Sequence, residues 1–151
     1  MKRPFAVYVL LFLHLFLGLG AATGGLLLML RPDGSLLQMQ PGWLNDTVFV
    51  NYFIPGFLLF TFLGALSILT LTGIFIKPDF AWTRALNLYP GKHWSWAFSI
   101  YTGISSITWI TVQLVMTQYF WIQPVIIFNG LLILAFTLLP GTMNYLSLNK
   151  K

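Results

Sequence analysis

Cysteine and glutamate are absent from the 151 residues, and the acidic side chains amount to three aspartates, Asp33, Asp46 and Asp79. Without a thiol there is no disulfide framework, no thiol–disulfide exchange, no thiolate metal site and no S-acylation. The aspartates all fall between the apolar segments, so a proton relay built on carboxylates inside a membrane is excluded as well. No nucleophile elbow, P-loop, dinucleotide or zincin motif occurs, and no acid–base or nucleophile–base pair can be named as catalytic. Charge of either sign is scarce at 7% of residues, against 58% hydrophobic and 17% aromatic.

What the chain does have is four long apolar stretches: Phe5 to Leu30, Asn51 to Ile76, Trp94 to Gln118, and Pro124 to about Leu148. Each is long enough, at about 1.5 Å per helical residue, to cross a hydrocarbon core of about 30 Å. They hold no charged residue and one histidine, His14. A single charge at mid-bilayer costs roughly 2.5–3.5 kcal/mol on insertion scales, so this scarcity is what a membrane solvent demands. The expected fold is an all-α integral membrane protein, one membrane domain over 1–151 forming a four-transmembrane-helix antiparallel bundle, with the lipid bilayer as its first partner.

The basic residues give the orientation. Lys2 and Arg3 precede the first span, Lys77, Arg84 and Lys92 lie between the second and third, and Lys150 and Lys151 end the chain; only Arg31 lies on the other side. The positive-inside rule then puts both termini and the 77–93 loop in the cytoplasm, with the 31–50 loop and the 119–123 turn outside. The basic residues lie beside membrane segments and form no patch interleaved with aromatics, so nucleic acid is not the expected partner. Lys2, Arg3 and an apolar run ending at Gly20-Ala21-Ala22 have the outline of a secretory signal. Past Ala22 the apolarity continues to Leu30, well beyond the usual 7–15 residue signal core, so a retained first span is expected.

Several local signals punctuate these spans. Pro32-Asp33-Gly34 stops the first abruptly, and Pro41-Gly42 interrupts the mixed stretch that follows, where Trp43 suits headgroup level. Pro55 falls in the first turn of the second span, where its missing N–H costs least. Residues 119–123 are so short a link that spans three and four must be antiparallel neighbours. Pro140-Gly141 comes too early for a full crossing from Pro124, so the fourth span either kinks there and continues to about Tyr145 or starts earlier, near Tyr119.

Span one is rich in small residues. Gly18, Gly20, Gly24 and Gly25 are its expected packing residues, Gly20 and Gly24 in small-xxx-small spacing. Helical spacing also aligns His14, Gly18, Ala21 and Gly25 on one side, which points the histidine toward protein. Counted from the inner ends, Ser67, Gly103 and Thr137 share its depth. Two readings stand for His14: a buried neutral imidazole bonded to a hydroxyl or carbonyl, or a proton-active group. His93 lies about one leaflet shallower, so the two cannot ligate one haem and no four-ligand metal set assembles; no metal or cofactor is expected.

The other intramembrane polar groups are amides and hydroxyls. Gln113 and Asn129 are each eight residues from Trp121, which a symmetric hairpin would bring to one depth in the outer-leaflet half. With Trp109, and Asn51 or Thr23 from the other hairpin, they form a candidate pocket for an amphipathic ligand; the alternative is interhelical hydrogen bonding, worth roughly 0.6 kcal/mol on average and up to about 2. Thr102, Ser105, Ser106, Thr108, Thr111 and Thr117 are spread around span three and are expected to bond back to carbonyls one turn earlier.

Gly24-Gly25, Pro32-Asp33-Gly34 with Leu37 and Met39, Phe53-Ile54-Pro55-Gly56, Trp109-Ile110-x-Val112-Gln113, Gln123-Pro124 and Asn129-Gly130 form a pattern over roughly residues 15–135. In it the chain resembles a group of small bacterial four-span membrane proteins of no assigned activity. The resemblance implies this topology and a bacterial inner (cytoplasmic) membrane, and no chemistry. The function expected is that of a non-enzymatic accessory subunit or homo-oligomer acting through helix packing on other membrane subunits or on itself. Binding or carrying a lipid-like or quinone-like ligand is one alternative, and an oligomeric channel or transporter is another.

Overall fold

The computed structural model describes residues 3–148; Lys2, Lys150 and Lys151, three of the basic residues behind the expected orientation, lie outside them. The described chain is helical, with no strand. Helix α1, Phe5–Leu30, is 26 residues long, about 39 Å. It ends where the Arg31 N–H bonds the Leu27 carbonyl and the chain turns through Gly34 at φ 80°. The Asp33 carboxylate fixes that turn by accepting from the Ser35 N–H at 3.1 Å and its hydroxyl at 2.8 Å. The backbone bond, more than any other contact, holds the Asp33 carboxyl below the usual carboxylate range.

The following segment carries two separate 3-10 turns, Ser35–Leu37 and Pro41–Leu44. Tyr52 ties it down: its N–H donates to the Pro32 carbonyl and its hydroxyl to that of Gln40 at 2.7 Å. Leu28, Leu44 and Tyr52 bury a small core beneath it, and Trp43 packs edge-on against Phe120 at 4.6 Å.

Helix α2, Phe53–Ile76, starts with Pro55 in its first turn and is wound as a π-helix over Leu59–Ala65. It ends at Lys77, in the left-handed region at φ 57°. After the short α3, Thr83–Leu86, comes α4, Trp94–Met116. Helix α5, Ile122–Leu138, follows the turn. The proline at 140 then drives Leu139 out of the helix, to ψ 139°, because its ring crowds the preceding residue and disfavours the helical region there. Of the two alternatives for this region, the chain adopts the break, and α6 runs Pro140–Tyr145.

Three helices, α1, α2 and α4, are long and apolar enough to cross a membrane. Helix α5 is apolar but has 17 residues, about 25 Å. Helix α1 packs on α2 and α5, and α4 packs on the same two, so α1 and α4 stand opposite each other across the centre. Arg3, Lys77 and Lys92 meet at one end of the molecule, around α6. Lys77 Nζ donates to the Tyr145 carbonyl and Lys92 Nζ to that of Met143, so two cations serve the C-terminal carbonyls of α6. The tail adds bonds from His93 N–H to the Leu146 carbonyl and from Leu148 N–H to that of Gly91. This basic end holds a cleft of about 580 Å³ between the 77–93 segment and α6, with the exposed Arg84–Asp79 ion pair on its wall.

Candidate functional site: a buried polar column

Every long helix turns polar side chains toward the centre. His14 comes from α1, Ser67 and Thr70 from α2, Ser95, Ser99, Thr102 and Ser106 from α4, and Asn129 and Thr137 from α5; all are buried. On α4 the spacing 95, 99, 102, 106 is a run of four, three and four residues, which holds one helix face. The hydroxyls expected to spread around this helix do so, Thr102 and Ser106 being buried and Thr108 and Thr111 exposed. Ser95 and Ser99, at the same spacing one and two turns earlier, complete a stripe and were missed. The expected back-bonding does occur, from Thr102 to Phe98, Thr111 to Ile107 and Thr117 to Gln113.

The centre of the column is a hydrogen-bonded relay. His14 Nε2 lies 2.8 Å from Ser99 Oγ, which lies 2.6 Å from Thr137 Oγ1, whose hydroxyl donates to the Ile133 carbonyl at 2.6 Å. The direction of each bond follows from counting protons. Thr137 has one hydroxyl proton, already directed at Ile133, so it accepts from Ser99. Ser99 has then used its own proton and accepts from His14, which makes the imidazole the Nε2–H tautomer. Thr137 also anchors α4 from the other side, its carbonyl accepting from Trp96 Nε1 at 3.0 Å. The relay therefore joins α1 to α4 across the diagonal and both to α5. It leaves two buried polar atoms without a protein partner, His14 Nδ1 as an acceptor and the Ser67 hydroxyl on α2. Ser67 Cβ lies 3.3 Å from where a Cβ on Gly18, one turn from His14, would stand.

The four residues of the expected ligand pocket are not brought together. Contacts between α4 and α5 pair Ser99 with Thr137, Gly103 with Leu134, and Ser106 with Ile126. In this register Gln113 faces the level of Gln123, while Asn129 lies six residues deeper along α5, about 9 Å. The assumption of symmetry about Trp121 fails because α4 ends at Met116 and α5 already begins at Ile122, which puts the link earlier in the chain than 119–123. Asn51 is exposed at the far end and caps α2, its Oδ1 accepting from the Phe53 N–H at 3.0 Å. Thr23 is exposed too. Gln113 is half-buried.

Asn129 and Trp109 remain as a smaller pair. Asn129 Nδ2 donates a long bond, 3.4 Å, to the Leu13 carbonyl, and its Oδ1 is buried without a donor. Trp109 Nε1 is a buried donor without an acceptor, about half a helical turn from the level of Asn129. Gln123 is buried, its Oε1 accepting from the Phe120 N–H at 2.9 Å and closing the turn into α5.

The glycines of α1 divide in two. Gly18 and Gly25 meet α2 closely; a Cβ on Gly25 would stand 2.6 Å from the Gly56 carbonyl oxygen. Gly20 has nothing within 4 Å, and Gly24 only an ordinary contact at 3.6 Å with Leu59. The small-xxx-small pair is thus not the contact. The face that carries His14, Gly18, Ala21 and Gly25 is, since its residues share one side of the helix and Gly20 points away from it.

His93, at the basic end, caps α4. Its Nδ1 accepts from the Ser95 hydroxyl at 2.8 Å, and its Nε2 donates to the Pro78 carbonyl at 3.2 Å. Burial, the largest cause, pushes its pKa down. Among the described residues no three histidine, aspartate or glutamate side chains gather as a metal set. No family model matches the chain, and neither a curated protein nor a solved structure matches it.

Proposed function

We propose that the chain is a small integral protein of the bacterial cytoplasmic membrane with four spans and both termini cytoplasmic. It acts without catalysis, through helix packing, as an accessory subunit of a larger complex or as a homo-oligomer. The observation that carries this reading is the division between interior and exterior. Inside, the helices approach to backbone contact at Gly25/Gly56 and Gly64/Ala22, and most buried polar groups find partners in the His14–Ser99–Thr137 relay or at backbone carbonyls. Outside, large side chains point away from the bundle, among them Phe5, Phe16 and Leu19 on α1 and Phe128 and Leu131 on its neighbour α5. The surface is then what remains available for interaction. Helix α5 counts as the fourth span because it lies along both α1 and α4. The convergence of Arg3, Lys77 and Lys92 at one end, with Arg31 at the other, supports the orientation. The resemblance to small bacterial four-span proteins points the same way.

The absence of cysteine makes the test direct. Phe16→Cys and Phe128→Cys, oxidised in native membranes, are expected to give an adduct of fixed mass, and Val48→Cys in the far-end segment none. A chain that stays monomeric in mild detergent and gives no adduct from any α1 or α5 position overturns this reading.

One observation favours a second reading. The Trp109 donor and the Asn129 acceptor, both buried and unpaired, match a lipid-like or quinone-like molecule bearing an acceptor and a donor. Co-purification of such a molecule, lost in Trp109→Phe, would support it; a ligand-free mass spectrum of the native protein would sink it.

A further inference from the structure

A groove of about 440 Å³ runs down the outside of the α1–α2 contact, walled by Leu11, Phe12 and Leu15 on one side and Leu71, Phe75 and Ile76 on the other. It covers about 7 Å of helix rise, roughly half a leaflet of hydrocarbon. At its basic-end mouth stands Arg3. The guanidinium lies 4.2 Å over the Phe75 ring, Nη2 donates to the Phe75 carbonyl at 2.9 Å, and Nε donates to the Tyr145 hydroxyl at 3.2 Å. The ring beneath the charge is therefore also a wall of the groove. A guanidinium has five N–H donors. These contacts use two, and the acceptors are neutral, so the charge of Arg3 is met by no carboxylate among the described residues.

We propose that this groove and Arg3 form a binding site for an anionic phospholipid of the cytoplasmic leaflet. One acyl chain lies between α1 and α2, and the phosphate accepts from the free N–H groups of Arg3. The occupant is a lipid because apolar walls and a cation meet at one boundary, where a phospholipid carries its own change from chain to phosphate. Arginine suits the role because its planar fork can bind phosphate while its face stays on Phe75. The inference rests on the membrane reading and orientation above, and carbonate-resistant sedimentation with membranes tests that reading separately.

The lipid site is tested by native mass spectrometry after equilibration with phosphatidylglycerol and phosphatidylcholine of identical chains. The wild-type protein is expected to retain phosphatidylglycerol about fivefold over phosphatidylcholine, the worth of one basic side chain at such a surface. Arg3→Gln is expected to bring the two lipids to parity. Leu71→Trp, which fills the groove, is expected to lose both. Because Arg3 also serves the end of α2, its loss can unfold the chain; wild-type melting in the two lipids is the second readout, with phosphatidylglycerol giving the higher Tm. Equal retention and equal Tm in the wild-type protein, an unchanged preference in a folded Arg3→Gln, or a second copy of the chain in place of lipid overturns the proposal.

Discussion

The two helix contacts that build most of this bundle share close glycine packing but differ in what side chains add to it. Where α1 meets α2, glycines bring backbone onto backbone: a Cβ on Gly25 would stand 2.6 Å from both the Gly56 oxygen and the Phe60 nitrogen, and one on Gly64 would stand 2.8 Å from the Ala22 backbone. Where α4 meets α5, Gly103 and Gly130 also face each other, a Cβ on either standing 3.1 or 3.2 Å from the other's carbonyl oxygen, but side chains add the link: Ser99 to Thr137, Ser106 to the Ile126 carbonyl, and Leu134 over Gly103. In lipid there is no hydrophobic force between helices, so association depends on close packing and on hydrogen bonds. The α1–α2 pair relies on close packing, and the α4–α5 pair adds side-chain hydrogen bonds to it. His14 is where they join, since it sits on the glycine face of α1 and bonds into the hydroxyl stripe of α4.

The contrast predicts how each contact fails. Gly25→Ala places a methyl group against backbone that cannot rotate away, and a loss of about 3 kcal/mol is expected, the upper part of the range for overpacking. Gly103→Ala meets Leu134 Cγ at 2.7 Å and Cδ2 at 2.8 Å, atoms of a half-buried side chain that can turn, and the Gly130 carbonyl oxygen only at 3.1 Å, so a smaller loss of about 1–2 kcal/mol is expected. Unfolding by denaturant in mild detergent measures both. Equal losses would mean that the two contacts do not differ as described.

Next in size is the junction. Ser99→Ala leaves the His14 N–H buried with no acceptor and Thr137 without its donor, for an expected loss of about 2 kcal/mol. His14→Leu removes the ring that needs the bond. The double variant is therefore expected to lose clearly less than the sum of the two single losses. Additivity within about 0.5 kcal/mol would show that the relay is not a unit.

A smaller effect separates the hairpins by pH. His93 holds the start of α4 with Nδ1 as acceptor, and its pKa is lowered from the ordinary value of 6.5 by burial. The unfolded chain then takes up a proton at a pH where the folded chain does not. The stabilisation is complete above about pH 6.5 and declines as pH falls from there toward the lowered pKa. Melting at pH 7.5 and pH 5 should show the decline in the wild-type protein and a weaker one in His93→Gln. The tail bonded at His93 and Gly91 should open first, read as faster hydrogen exchange at Leu148 than anywhere in the α1–α2 pair.

The helical class and the apolar segments were legible in the sequence because membrane crossing is a matter of length and composition. The depth of His14 could be counted too, and two of the residues placed at its level, Ser67 and Thr137, do line the column. The α4–α5 register was not legible. It depends on where the turn 117–121 leaves the helical path, which apolarity does not encode, and an error of three residues on each side separates Gln113 from Asn129. The burial of Gln123 was not legible for a related reason, since a buried amide capping a turn looks in sequence like a surface one. Ser99 is legible from its three-residue and seven-residue spacing to Thr102 and Ser106, which puts all three on one helix face.

The smallest expected effect is the one that sharpens the glycine argument most. Gly20 and Gly24 have the spacing of a packing motif, yet a Cβ at Gly20 meets nothing within 4 Å and one at Gly24 meets Leu59 at an ordinary 3.6 Å. If the motif were the contact, Gly20→Ala would disrupt it as Gly25→Ala does. If the contact is the face that includes Gly18 and Gly25, Gly20→Ala costs nothing and replaces a poor helix former with a good one, a gain between zero and about 1 kcal/mol. The sign of that small change, measured beside Gly25→Ala in the same detergent, decides which side of α1 packs. Any measurable loss at Gly20 would return the partner to the other side of the helix, and with it the surface proposed for association.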